Sequence, residues 1–252
     1  MTLLPADPYE RLALIYDHMM AHVDYAMWAE YVRALWERHQ GGEPTDCFDA
    51  ACGTGRFLAE LGAPGLRMGG ADASSAMLEK ARRRLPRRAR LSCQDLRELR
   101  DGGQWALVTC LYDSLNYLTE SRDLARALEH LAALCEAGGL VIFDICTERN
   151  SLEHFKDRTE HGRADGWSWE RHSWYDKDAR LHHNEFLVEH AASGRRFVEV
   201  HRQRIYAVDE VADLATAAGL EVLARYAEFG MKPGDERADR VHFVTRRRGE
   251  GA

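Results

Sequence analysis

The sequence lacks any CxxC pair. Its six cysteines, Cys47, Cys52, Cys93, Cys110, Cys135 and Cys146, are scattered, mostly in apolar, strand-like runs. That spacing speaks against a zinc site or a disulfide frame and fits reduced, buried thiols. Also missing is an apolar run long enough to cross a bilayer. The opening stretch, MTLLPADPYE, has no basic n-region, so no signal peptide is expected. Net positive charge is absent too. The formal charge is -7, and an acidic surface repels phosphate backbones, which makes nucleic acid a poor partner. The basic runs ARRRLPRRAR and TRRRGEGA read as a solvated helix end and a solvated terminus. No internal repeat or low-complexity segment is evident. A soluble, cytoplasmic chain is expected, with no membrane contact.

What is present is a core's worth of apolar residues, 45% of the chain, arranged in alternating patterns. The first forty residues read as helical. Trp28, Tyr31, Val32, Leu35 and Trp36 recur at helical spacing, and HQGGEP closes the run. Then short apolar strands alternate with helices. CFDAA, LRMGGAD, ARLSCQD, WALVTCLY and LVIFDIC are the strands. The helices between them carry cap and stop signals at Gly62, Ser74 or Ser75, Pro86 and Ser121. This rhythm predicts an α/β fold, a mostly parallel sheet with helices on both faces.

After the fifth strand the rhythm changes. GWSWERHSWYD, ARLHHNEFLVEHA and RRFVEVHRQRIYAV read as three consecutive strands, an antiparallel insertion. A helix capped by Asp209 and two final strands, LEVLARYAEF and VHFVTRR, complete a seven-stranded sheet. One domain over 1–252 is expected: a helical cover (1–42), a ligand-binding core (43–147), the β insertion (148–207) and the rest of the core (208–252).

The stretch FDAACGTGRF places Asp49 at the end of the first core strand and Gly53 and Gly55 in the bend after it. Open α/β sheets bind ligands at that edge, and glycines there let a ligand approach the backbone. The third glycine of a GxGxxG dinucleotide fingerprint is missing, because Leu58 takes its place. A carboxylate beside the bend suits a cationic ligand better than a pyrophosphate. The next strand ends in Asp72, where a carboxylate can accept both hydroxyls of a ribose. The third leads to CQDL, where Asp95 can accept from an exocyclic amine. The fourth leads to CLYDSLNYL. A nucleoside with a positively charged amino-acid arm would use all four strand ends.

FDAACGTG, ADASSAMLEKAR and QDL, in this order and spacing, resemble the motifs of class I S-adenosylmethionine (SAM)-dependent methyltransferases, over roughly residues 46–146. Ala51 stands where glycine is usual. The resemblance implies a Rossmann-like fold with SAM as cofactor and S-adenosylhomocysteine as its product. It further implies that Ala51, Cys52, Gly53 and Gly55 pack on the methionine arm and ribose. Asp49 would order the arm's amino group and Asp72 the ribose hydroxyls. Ala73 and Met77 would flank the adenine, with Gln94, Asp95 and Leu96 on its amine side. Leu111 and Ser114 would lie near the methionine end. YDHMMAHVDYAMWAEYV and LYDSLNYL resemble the glycine and amino-sugar N-methyltransferases of bacteria, in which an aromatic cover closes over the cofactor. Tyr16, Tyr25 and Trp28 are the candidates here, with core packing of an amphipathic helix as the alternative.

Methyl transfer is an in-line displacement that asks the protein for alignment, dryness and a place for a proton. Asn116 and Tyr117, with Tyr16 from the cover, are the candidates to face the transferred methyl; Asn116 and Ser114 could instead cap the following helix. Trp167, Trp169, Trp174, Tyr175, Phe186, Phe197 and Tyr206 make the insertion aromatic, as a pocket wall, a dimer interface or plain core. Arg202 and Arg204 share one strand face and could meet an anionic substrate or simply face solvent. His18 and His22 lack a third ligand, so no metal is expected. The expected activity is SAM-dependent methylation of a small molecule, with an amine nitrogen favoured. The alternatives are O-methylation and a non-catalytic SAM-binding module. The chain could be a monomer or a homodimer.

Overall fold

The structure, a computed structural model, describes residues 3–249. The outermost residues of the expected cover and tail, 1–2 and 250–252, lie outside it. In chain order the elements are β1 (Leu3–Pro5), α1 (Tyr16–Met19), α2 (Tyr25–His39), β2 (Asp46–Asp49), α3 (Arg56–Leu61), β3 (Arg67–Asp72), α4 (Ser75–Arg84) and β4 (Arg90–Cys93). There follow β5 (Trp105–Cys110), α5 (Ser121–Leu134), β6 (Cys135–Cys146), α6 (Glu148–His154), β7 (Asp157–Ala164), β8 (Trp167–Asp176), β9 (Leu181–His190) and β10 (Arg195–Arg204). The chain closes with α7 (Val208–Ala217), β11 (Leu220–Ala227) and β12 (Arg240–Arg247).

A seven-stranded sheet in the order β11-β12-β6-β5-β2-β3-β4 forms the core. β2 to β6 pair in parallel, and β12 runs antiparallel to both β6 and β11. The expected α/β sheet with helices on both faces is therefore present. Its central strands are buried on both sides. Every residue of β5 is buried, as a run of apolar side chains between two helical layers requires. Phe48, Trp105, Val108, Leu128, Phe143 and Phe243 share one apolar cluster, and α2 packs Val32 and Leu35 into a second on the other face. Gly69 in β3 leaves room for large rings. A Cβ there would lie 2.5 Å from the Trp105 ring and 2.6 Å from Phe48.

The parallel strands all end at one edge, because each βα crossover returns the chain to the opposite edge before the next strand begins. Ser74 caps α4 by accepting the Met77 N–H at 3.2 Å, as its position ahead of the apolar run suggests. Two other expected caps are corrected. α5 starts after Glu120 and α7 after Ala207, neither with a side-chain cap. Ser121 Oγ instead donates to Glu210 at 2.9 Å, joining the two helices.

The N-terminal cover differs from the uniformly helical reading. Its helix is α2; before it the chain forms the short β1, a 3-10 turn at Leu12–Leu14 and the four-residue α1. His18 and His22 consequently do not share a helix. The insertion also holds more than three strands. β7, β8, β9 and β10 form an antiparallel meander, and β1 adds to it in parallel through Leu4↔Phe197. β7 reads DRTEHGRA, too polar to announce itself as a strand, and it forms because β8 pairs with it along its length. The final strand reaches Arg247, so part of the basic tail is anchored. Arg246 Nη2 donates to the His39 carbonyl at 2.6 Å.

Candidate active site

A cleft of about 680 Å³ lies along the carboxyl edge of the parallel strands. The loop after β2 contributes Asp49 to Thr54, the end of β3 Asp72 to Ser74, the end of β4 Gln94 to Leu96, and the end of β5 Leu111 and Ser114. Met77 reaches in from α4. Tyr9, Tyr16, Tyr25 and Trp28 close the cleft from the N-terminal cover. The sequence-predicted residues thus converge on one cavity, with two exceptions, Gly55 and Asn116.

Asp72 is fixed by its neighbours. Its two carboxylate oxygens accept the N–H groups of Gly53 and Ser74, each at 2.8 Å. A carboxylate has about four lone-pair sites, so one on each oxygen is left for a ligand. Burial raises its pKa, while the two N–H bonds pull it back down. Gly53 has φ +52 and nothing within 4 Å of where a Cβ would sit, so its backbone is bare to the cleft. Gly55, also left-handed at φ +75, serves packing instead. A Cβ there would meet Leu85 at 3.1 Å and Ala81 at 3.2 Å, where α3 leans on α4.

Asp49 is buried and accepts the Thr109 hydroxyl at 3.0 Å. Burial pushes its pKa up to about 7; the Thr109 and Ala51 hydrogen bonds oppose this, and the charges of Asp72 and Asp144 add to it. Among the described residues it has no cationic partner within salt-bridge distance. A ligand cation would relieve that arrangement.

Three predicted groups are committed elsewhere. The Asp95 carboxylate takes a bidentate pair from Arg97, at 2.8 and 2.7 Å, which lowers its pKa. Gln94 spends its amide on Ser92 and Arg100, bracing the loop beneath the cleft. Ser114 Oγ donates to the Leu111 carbonyl at 2.8 Å, occupying one of its lone pairs. Trp28 is buried among Tyr112, Phe229 and His242, so the core reading of its ring also holds. Asp17 secures the cover. It accepts Thr54 Oγ1 at 2.6 Å and Arg84 Nη2 at 2.7 Å, which gives one arginine of the basic run a structural partner.

Behind the fourth strand end the backbone is forced. Tyr112 and Asp113 are consecutive non-glycine residues with φ 63 and 51, a conformation that costs energy and clusters at functional sites. The buried Asp144 carboxylate holds the turn by accepting both N–H groups, at 2.7 and 2.8 Å. Arg240 then bridges Asp144 and Asp113.

A second cavity, about 520 Å³, lies between this turn and the inner face of the antiparallel sheet. It shares Tyr9, Tyr16, Tyr112 and Tyr117 with the first, so these tyrosines form the passage between the two. Trp169, Arg171, His182, Asn184, Phe186, His201 and Gln203 supply its roof. Of the seven aromatics flagged in the insertion, Trp169 and Phe186 line this cavity. Trp167 and Phe197 line a small surface pocket, Trp174 stacks on His183 outside, Tyr175 donates its hydroxyl to Glu148 at 2.9 Å, and Tyr206 belongs to the core. Arg202 and Arg204 are on the outer face; Arg204 meets the Thr119 carbonyl and Glu210. The inward residues of the same strand are His201 and Gln203, and the arginines that line the cavity are Arg158 on β7, Arg171 on β8 and Arg240 on β12.

Asn116, expected beside the reacting methyl, is fully buried and tied to backbone. Its amide donates to the Arg204 carbonyl at 2.7 Å and to Cys146 O at 3.4 Å, and its oxygen accepts the Cys146 N–H at 3.1 Å. It fastens the ends of β6 and β10 and also lines the second cavity, with one lone pair of its oxygen uncommitted. Tyr117 does reach the passage, where its hydroxyl meets those of Tyr9 and His201 Nδ1. Tyr9 and Arg171 carried no motif that marked them in the sequence, while Tyr112 and His201 lie inside LYDSLNYL and HRQRIY without having been singled out there.

The methyltransferase-domain family model matches residues 48–139. Over 210 residues the chain is 30% identical to dTDP-3-amino-3,4,6-trideoxy-alpha-D-glucopyranose N,N-dimethyltransferase of Streptomyces venezuelae, covering 82% of this chain and 87% of the relative. Two solved structures share the fold. One is a S-adenosylmethionine-dependent methyltransferase from Clostridium acetobutylicum ATCC 824, with TM-score 0.79, 24% identity, and 95% and 98% of the two chains covered. The other is the sugar N-methyltransferase KedS8 from Streptoalloteichus sp ATCC 53650, with TM-score 0.80, 23% identity, and 99% and 98% covered.

Proposed function

The chain belongs to the class I SAM-dependent methyltransferases, and we propose that it methylates the amine nitrogen of a small-molecule acceptor held in the second cavity. The observation that carries this reading is the meeting of two cavities at Tyr9, Tyr16, Tyr112 and Tyr117. One cavity has strand-end carboxylates for the cofactor, and the other offers space for an acceptor. That open space disfavours a non-catalytic SAM-binding module, for which side chains should fill the volume beside the methyl.

SAM supplies an electrophilic methyl group on a sulfonium. The residues fit it. Asp72 keeps a free lone pair on each oxygen for the ribose hydroxyls, and Gly53 and Ala51 present backbone to it. Asp49 is the counter-charge for the amino group of the arm. Ala73, Met77 and Leu96 offer apolar contact to the adenine, and Asp95 can share its second oxygen with the exocyclic amine. The tyrosines line the route along which an acceptor lone pair must approach, and Trp169 and Phe186 give the otherwise polar acceptor side an apolar wall.

Nitrogen is favoured over oxygen because an amine needs only its lone pair freed, whereas an alcohol needs a strong base. Asp113 and Asp144 are committed to backbone and Arg240, and the passage tyrosines resist ionisation through burial. The Streptomyces venezuelae relative is named for dimethylating a sugar amine, which supports an amino sugar as the acceptor. The test is incubation with SAM and either dTDP-3-amino-3,4,6-trideoxy-α-D-glucopyranose or its 3-hydroxy counterpart, followed by mass spectrometry. Methyl groups should appear on the amine alone. Transfer to the hydroxy compound alone would refute the nitrogen assignment.

A further inference from the structure

A hydrogen-bonded chain leaves the tyrosine passage and runs into the protein. The Tyr9 and Tyr117 hydroxyls bond to each other at 2.5 Å, and Tyr117 Oη lies 3.1 Å from His201 Nδ1. His201 Nε2 is 3.2 Å from Glu199 Oε2. The two inner members are shut off from solvent, with His201 1% exposed and Glu199 0%. Residues two apart on a strand share a face, so β10 presents Glu199 and His201 together toward the cavity side of the sheet.

We propose that Glu199, His201, Tyr117 and Tyr9 form a proton relay that takes the proton shed by the acceptor's ammonium group and stores it on His201. The proposal rests on the amine reading above. In the resting arrangement the His201 Nε2–H donates to Glu199, Nδ1 accepts the Tyr117 O–H, and Tyr117 accepts the Tyr9 O–H. When an acceptor N–H bond breaks, its proton passes to Tyr9 Oη. The Tyr9 proton shifts to Tyr117, and the Tyr117 proton shifts to His201 Nδ1. The electron pair of the broken N–H bond stays on nitrogen as the lone pair that attacks the methyl. Both tyrosines end neutral, and the charge gained is one imidazolium.

Glu199 explains why the proton should stop there. Its carboxylate accepts the N–H groups of Tyr9 at 2.7 Å, Arg11 at 2.5 Å and Leu12 at 2.9 Å. With His201 Nε2 as a fourth contact, all four lone-pair sites of the carboxyl group face a nitrogen. Among the described residues its one ion-pair partner is His201. A buried carboxylate without a fixed cation is costly, and an imidazolium at Nε2 completes the pair. The same three bonds pin the N-terminal segment, so Tyr9 is held in line with Tyr117. The tyrosines cannot be the final base, since burial raises both hydroxyls well above their usual range, with the Asp113 charge adding to this and Arg171 opposing it at Tyr117. They conduct a proton and do not keep it. Phe186 from β9 and the edge of Tyr9 cover the imidazole, at ring distances of 5.0 and 4.7 Å.

Tyr9 and Tyr117 are catalytic residues in this scheme, and His201 and Glu199 act through them. The test uses the full chain and two readouts. The first needs no acceptor. In ¹⁵N-histidine-labelled protein saturated with S-adenosylhomocysteine, neutral His201 should carry its proton on Nε2, and Tyr117→Phe should shift the Nδ1 resonance. A ring protonated on Nδ1, or one indifferent to Tyr117→Phe, overturns the relay. The second is the pH profile of His201→Gln, which keeps polar contacts but cannot hold a proton. With the amino-sugar nucleotide as acceptor, kcat should fall about 100-fold near neutral pH, the usual scale for one general base. It should converge on the wild type as pH rises far enough for the acceptor to lose its proton to water. A merely structural role would lower the rate equally at every pH, and that result, or an unchanged neutral-pH kcat, overturns the proposal. Wild-type protein that binds SAM yet methylates no amine overturns the amine reading itself, and the relay falls with it.

Discussion

The Gly53 N–H donates to the Asp72 carboxylate at 2.8 Å, which joins the bend after β2 to the end of β3 across the floor of the cleft, beside the Cys52 N–H to Ala71 carbonyl bond at 2.9 Å. With Ser74 on the other oxygen, the carboxylate cannot swing away. Asp72→Ala should therefore weaken SAM and S-adenosylhomocysteine by the same factor, because the ribose is common to both. Two hydrogen bonds to a charged group are worth about 1.5–3 kcal/mol each, so calorimetry should show a loss of roughly 100-fold or more. Unequal losses, or none, would place the ribose elsewhere.

Asp49 should make SAM binding depend on pH. Its folded pKa, raised to about 7, means that a cationic amino group binds the ionised form and pulls the carboxyl back down. SAM affinity should therefore rise as pH increases toward 7 and level off above it. In the unliganded protein the sign is reversed. A raised carboxyl pKa costs stability once pH exceeds the ordinary value, and the full cost is present above about 7. Asp49→Asn should flatten the affinity profile and weaken binding at pH 8. It should also stabilise the empty protein there by up to a few kcal/mol, at about 1.4 kcal/mol per pKa unit. Denaturant melts at pH 5 and 8, with and without SAM, check both halves.

Gly53 and Gly55 share a left-handed backbone, and alanine at either should cost about 1–2 kcal/mol. The two variants should differ in ligand binding. Gly53→Ala puts its methyl into the open cleft and should cut SAM affinity at least tenfold. Gly55→Ala puts it against Leu85 and Ala81 and should lower the melting temperature further while leaving affinity nearly intact. Paired calorimetry and thermal melts separate the two roles.

Asp144 holds the strained turn at Tyr112 and Asp113 and pairs with Arg240. Asp144→Ala orphans two N–H groups and half of a buried ion-pair network, which should destabilise by about 3–5 kcal/mol. Urea unfolding measures it, and a loss below about 1 kcal/mol would show that the turn holds itself.

The cofactor side was legible because its chemistry sits at strand ends, where a carboxylate or glycine has a fixed place relative to the sheet edge. Asp49, Gly53 and Asp72 follow from the strand pattern alone. The second cavity was hidden by period-two ambiguity. In VEVHRQR the alternation groups His201 with Gln203 and Arg202 with Arg204, but says nothing about which pair faces inward. The arginines are conspicuous and lie outside, while His201 is in the cavity. Asn116 was ambiguous for a related reason. An amide suits a substrate and a backbone pair equally, and only the approach of β10 to β6 decides between them. Tyr9 was unreadable because Glu199, 190 positions away, sets its place. β1 and β7 owe their strand form to partners in the meander.

A crystal structure of the full chain with S-adenosylhomocysteine and an amino-sugar nucleotide would probe the two-cavity geometry most directly. The ribose hydroxyls should sit on Asp72, and the sulfur should point through Tyr9, Tyr16 and Tyr117 at the acceptor nitrogen beneath Trp169 and Phe186. A sulfur directed away from that passage, or an acceptor bound outside the second cavity, would contradict it.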